Sequence, residues 1–303
     1  MEMKLQLNME MHNVGEFLFD GCEAIYYTGN YILDYEIFNA LYNISVGIER
    51  MQKIILLLDD SKIQDDQRKF LNSHNVEMLR SIISKIYNLN FNKEENELLN
   101  LLRDFYKNGR YNYLDKEYEG FNWSVNRLNV YFEKINKPQL NRIHTQYHFL
   151  SKSKESIMRT LSTVILKYIK LLKDISDNQG IFIVETESTR KLSVFVYCPQ
   201  KSSIFDYFRM VDIAKNELYY FLWHRSISKK MLPPFSPINF DVALIPDFLS
   251  ETTLTKVKWD LIGEVESYYC DFYEDNEDEI EKRKNYMFSF WDIISQYLDG
   301  FLQ

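Results

Sequence analysis

Residues that reverse a backbone are scarce in this chain: its 303 positions hold 9 glycines and 6 prolines. Glycine and proline break or turn regular structure most readily, so few tight reversals can be built here and long uninterrupted segments must fill the rest. Tyr, Phe and Trp supply 16% of positions and hydrophobic residues 46%. That is ample core material, and it argues against disorder. Long helices follow, in one large domain or two of ordinary size.

Apolar spacing places those helices. From Tyr35 to Leu58, residues Leu41, Ile44, Ile48, Met51, Ile55 and Leu58 recur at three- and four-residue steps, laying one stripe along a helix. A second helix carries Val76, Leu79, Ile82, Ile83 and Ile86, with Asn75 positioned to cap it. A third begins near Glu94, with acidic residues where the helix dipole favours them, and ends at Gly109. A fourth covers "SVNRLNVYFEKI" and stops before Pro138, and a fifth, long one carries Ile157, Leu161, Val164, Ile165, Tyr168, Leu171 and Leu172. After "DNQG" at Asp177–Gly180 the pattern changes. Ile181–Glu187 and Leu192–Cys198 are rich in β-formers and predict a hairpin, "FDVALI" (240–245) predicts a third strand, and further long helices close the chain. The expected fold is mainly α. A helical bundle over 1–177 precedes an α+β region over 178–303, with a small hairpin or sheet and long helices.

Charge is unevenly distributed around a net of -8. Residues 1–120 hold 13 Lys+Arg against 20 Asp+Glu, residues 121–233 hold 18 against 9, and residues 234–303 hold 5 against 15. The whole is no basic nucleic-acid binder, but the +9 middle could meet a phosphate backbone, or could dock on the acidic ends of the same chain or of a second copy. The three cysteines, Cys22, Cys198 and Cys270, form no CxxC pair and suggest neither disulfides nor a thiolate zinc site. The N-terminal sequence lacks a signal-peptide pattern, and the longest apolar run is Ile54–Leu58. A soluble protein of a reducing cytoplasm, without a membrane partner, is expected.

Phosphate-binding GxxxxGK, dinucleotide GxGxxG, nucleophile GxSxG and zinc HExxH motifs are all absent from the sequence. No cofactor and no metal are therefore expected, although His144 and His148, four apart, could offer two nitrogens to zinc with carboxylates of the acidic C-terminal third. Two Arg–His pairs share a six-residue spacing, Arg68 with His74 and Arg142 with His148. A histidine titrating near neutrality beside a permanently charged arginine suits proton transfer at a phosphodiester. The bland alternative for each is a hydrogen-bonded surface or cap histidine.

Three stretches together resemble the HEPN superfamily of helical bundles: Asn39–Leu58, where Glu49, Arg50 and Lys53 precede the apolar Ile54–Leu58; Ser73–Leu79, with Ser73, His74, Asn75 and Val76 at a helix entry; and Leu101–Leu114, with Arg110, Tyr111, Asn112 and Tyr113. The likeness spans residues 13–175 at most. It implies a homodimer with a metal-independent RNA-cleaving site, such as a toxin-type effector in antiviral defence, in which an Arg–His couple from each subunit faces one cleft. Arg68, His74, Arg142 and His148 are the catalytic candidates, with Glu49 and Lys53 in support. The family commonly has a polar residue, often Asn, after its arginine, where Lys69 and Ile143 stand here. The basic middle adds Lys152 and Lys154 as phosphate contacts and Tyr147 as a base-stacking ring; with Arg110 and Tyr111 they form the expected RNA-binding set. Many family members lack the couple, so a non-catalytic module binding RNA or a protein is the alternative.

Overall fold

The computed structural model describes residues 2–29, 32–109, 111, 122–137, 140–143, 146–181, 191–197, 203–224, 234–253, 258–274 and 276–291. They form helices and one short antiparallel ladder, grouped in two units, Met1–Phe205 and Asp206–Gln303. Among them no helix is long and apolar enough to cross a membrane.

In the first unit, α1 (Glu2–Tyr27) and α2 (Asp34–Leu58) pack against each other along their length. Glycine permits the close approach. A Cβ on Gly21 would lie 2.5 Å from Ile44 Cγ1, and one on Gly47 would lie 2.7 Å from the Leu18 side chain. Helix α2 buries residues on nearly every side, from Ile37 through Leu58. A helix buried over most of its circumference needs neighbours on several sides, and only a strip through Tyr35, Tyr42 and Leu57 meets solvent. Beside α1 these are α4 (Val76–Tyr87), α5 (Lys93–Asn108), α6 (Trp123–Lys134) and α7 (Ser151–Asn178), with the single-turn α3 (Asp65–Arg68) in the connection after α2.

Side chains, local and distant, close several helix ends. Asp34 Oδ1 accepts from the Val125 backbone N–H at 2.9 Å in the first turn of α6. Asn75 caps α4 by accepting from Met78 N–H. Asn92 and Glu95 form a reciprocal capping box on α5, and Lys167 of α7 joins Glu95 at 2.6 Å. Strands β1 (Asn141–Ile143) and β2 (Gln146–His148) pair antiparallel just before α7.

The second unit holds α9 (Ile204–Trp223, entering from the first unit), α10 (Ile245–Thr253), α11 (Trp259–Tyr273) and α12 (Glu277–Phe288). Its centre is a buried ion pair. Arg283 of α12 donates to both carboxylate oxygens of Glu217 on α9, at 2.5 and 2.7 Å, and neither side chain is exposed. The Tyr269 hydroxyl donates to Glu217 at 2.6 Å, and the guanidinium lies over the rings of Phe235, Tyr268 and Tyr269.

The five helices expected between Tyr35 and Ile175 all form, but α1 was not anticipated. The β expectations for the C-terminal half fail on the described residues. Lys191–Ser193 is a 3-10 turn and Val194–Tyr197 a short helix, α8, where the second hairpin strand was expected; residues 182–190 lie outside the described set. Packing overrides β-propensity there, because Leu192, Val194 and Phe195 are buried on the first unit, with Leu192 against Gly15 of α1. Residues 242–244 form a turn and α10 starts at Ile245, so "FDVALI" is no strand. Residues 191–205 accordingly group with the helical unit.

Gly21→Ala should lower stability by about 1–3 kcal/mol through overpacking at Ile44, read as a lower urea midpoint by circular dichroism. Glu217→Gln, which strips the paired carboxylate from a buried guanidinium, should cost about 3–5 kcal/mol. Tryptophan fluorescence reports it, since Trp223, Trp259 and Trp291 all lie in the second unit.

Candidate functional site at the start of helix α4

His74 is fixed by its place in the chain. It precedes Asn75, the residue capping α4, and its carbonyl accepts from Val76 N–H at 3.1 Å. The side chain is 61% exposed, yet Nδ1 lies 3.1 Å from Oε1 of Glu49, whose side chain on the central helix is only 5% exposed. Lys53, one turn on, reaches the same oxygen at 2.7 Å. From α5, the Tyr106 hydroxyl stands 3.3 Å from His74 Nδ1, and its ring is tilted against the imidazole at 5.7 Å.

Burial opposes ionisation of Glu49, but hydrogen bonds from Lys53, Tyr106 and His74 and the Lys53 charge outweigh it and hold the carboxyl below its ordinary value. An ionised carboxylate only accepts, so the hydrogen bond runs from His74 Nδ1–H to Glu49, and Nε2 is the ring nitrogen not committed to it. The cleft on which His74 lies has a volume of about 490 Å³, and Asn75, Glu77, Arg103, Asp104 and Lys107 also line it. This histidine can accept a proton from a bound hydroxyl, and Glu49 then balances the imidazolium.

Arg68 is elsewhere engaged: its guanidinium donates to both carboxylate oxygens of Asp60, at 2.6 and 2.7 Å, and it does not line the cleft. The six-residue spacing with His74 therefore builds no couple, because a 3-10 turn over Lys69–Asn72 intervenes and Asp60 is the nearer anion. For the second pair the ladder register sets Arg142 opposite Tyr147 and His148 opposite Asn141, while the side chains of Arg142, Tyr147 and His148, with Arg110 and His144, lie outside what is described. Lys152 is exposed on the first turn of α7, and Tyr111 is exposed.

Lys154 does not face a phosphate. Its ammonium donates to the carbonyls of Tyr26 and Thr28 at 3.0 and 2.5 Å, closing the C-terminus of α1, and burial pushes its pKa down. Glu49 lies between Lys53 and His74, at 2.7 and 3.1 Å. Sequence reasoning missed Tyr106 and Lys107, although the seven-residue step from Leu99 to Tyr106 puts the ring on the apolar face of α5. Arg103 lines the cleft and pairs with Glu77 at 3.1 Å and Asp104 at 2.7 Å. Among the described residues no group of three or more His, Cys, Asp or Glu could hold a metal ion.

No family model, curated protein or solved structure matches this chain.

Folding lowers the Glu49 pKa from an ordinary 4.5, so the unfolded chain binds more protons between the folded value and 4.5 and stability falls as pH drops through that window. The stability gap between wild type and Glu49→Gln should be full near pH 6 and shrink below pH 4.5, measured by urea unfolding at stepped pH. A pH-independent gap would remove the ionised carboxylate from the account.

Proposed function

We propose that the first unit is a HEPN-like domain and that the protein is a metal-independent endoribonuclease, a toxin-type effector of antiviral defence, working from the His74 cleft. The observation that carries this reading is an exposed imidazole backed by a buried, ionised Glu49, with its second nitrogen left to accept a proton. Nε2 takes the proton of a ribose 2'-OH, the oxygen attacks the adjacent phosphorus, and the 5'-oxygen leaves with a proton returned by the imidazolium. A 2',3'-cyclic phosphate and a 5'-hydroxyl result. The cation at the phosphate is Lys107, which lines the cleft and has no ion pair among the described residues. Assembly as a homodimer would set two such clefts on one RNA.

One observation favours a second reading, a non-catalytic module that binds RNA or a protein partner. Arg68 and Arg103 are both held by carboxylates, so neither stands open to a phosphate.

Incubating the purified chain with mixed RNA and EDTA separates the two. The nuclease reading expects cleavage leaving cyclic phosphate ends, at least about 100-fold slower in His74→Ala and near normal in Arg68→Ala. Loss in His148→Ala instead would move the site to the β1–β2 ladder. RNA or protein binding without cleavage would establish the module.

A further inference from the structure

An ion pair ties the α4 wall of the His74 cleft to its α5 wall. Arg103 Nη1 donates to Glu77 Oε1 at 3.1 Å, while Asp104 Oδ1 accepts from Nε at 2.8 Å and lies 2.7 Å from Nη2. The two carboxylates therefore hold different parts of one guanidinium. Asp104, next in sequence, takes the Nε–Nη2 edge and sets its orientation; Glu77 takes only the Nη1 end. The Glu77 contact is also the longer, and its side chain is 56% exposed against 41% for Asp104. Exposed pairs of this kind add little stability, so Glu77 is the partner that yields.

Charge gives that contact a consequence. Apart from His74, the charged side chains lining the cleft among the described residues are Glu77 and Asp104 against Arg103 and Lys107, which cancel. A cleft so balanced has little pull on a polyanion. With Glu77 turned away the walls carry a surplus cation, and Arg103 and Lys107, one turn apart on α5, share a face. The Nη1–Nη2 end of the guanidinium then keeps an N–H on each nitrogen for the two non-bridging oxygens of a phosphodiester, with Asp104 still holding the other edge. The dipole of α4, whose first turn carries Glu77, favours an anion there, carboxylate or phosphate alike.

We propose that Arg103 is the phosphodiester-binding arginine of the His74 cleft, and that Glu77 is an internal anion holding its place until an RNA phosphate displaces it. Arg103 is closed at rest and opens by exchange. The proposal rests on the reading of this cleft as an RNA site and does not need His74 to cleave. A fluorescein-labelled 2'-O-methyl RNA strand, which has no 2'-OH to attack its own phosphates, is titrated with the full chain in EDTA and followed by anisotropy.

Glu77→Gln should bind about 2- to 5-fold tighter than wild type, since the carboxylate no longer competes for the guanidinium; misfolding cannot produce such a gain. Arg103→Gln should bind at least about 10-fold more weakly, and flatten the slope of log K against log salt by about 0.7. Combined with Arg103→Gln, the gain from Glu77→Gln should vanish, because exchange needs the guanidinium. An equal gain with and without Arg103 would reduce Glu77 to a distant repelling charge and overturn the proposal. Wild-type affinity in Arg103→Gln, or no binding of the strand, would overturn it too. Cleavage of unmodified RNA with normal binding by Arg103→Gln would sink the exchange and leave the nuclease standing; the expected binding pattern without any cleavage would do the reverse.

Discussion

The burial of most of the circumference of α2 organises the first unit. A helix that buries Ile44, Ile48, Met51 and Ile55 on one side and Val46, Ile54 and Leu56 on others needs neighbours around most of its circumference, and α1, α4, α5, α6 and α7 supply them. Glu49 sits within that enclosure, where a carboxylate is expensive unless satisfied. It is satisfied by Lys53 from its own helix, His74 from the entry to α4 and Tyr106 from α5, so the polar cluster at the cleft answers a demand made by the core. The position of His74 and the direction of its Nδ1 hydrogen bond both follow from that demand.

The second unit meets a similar demand differently. Arg283 and Glu217 satisfy each other fully out of solvent, with Tyr269 and the rings of Phe235 and Tyr268 completing the shell. Nothing of that pair is presented to a ligand. The contrast distinguishes an anchor from a site: both rest on a buried carboxylate, but only Glu49 extends its hydrogen bonding to a side chain that solvent can reach.

Helices whose stripes repeat at three and four residues were legible because each buries one face, as α4 and α7 do. The stripe of α1, Met11, Val14, Leu18, Cys22 and Ile25, was equally present but sits among polar neighbours and a cysteine, which dilute it. Leu192–Tyr197 misled because β-branched and aromatic letters describe any buried surface, and what they pack on is set by residues far off in sequence. At the site, Glu49, Lys53 and His74 were found through a family likeness of short motifs, while Arg68 was paired with His74 by spacing alone. Spacing does not record that Asp60 lies within reach of that arginine. Tyr106 and Lys107 enter only when α5 is laid beside α4, a tertiary fact.

The positive surplus of the middle segment also reads differently once Lys154, Lys167 and Lys191 are located. One ammonium closes α1, another completes the α5 cap, and the third bridges Glu16 and Asp20 on α1. Their charges are spent against neighbours within the fold and contribute little to the potential a distant polyanion would feel. The arithmetic of letters thus overstates the outward field of this segment, and diffusional capture of a charged partner is governed by the smaller set of cations that no acceptor has already engaged.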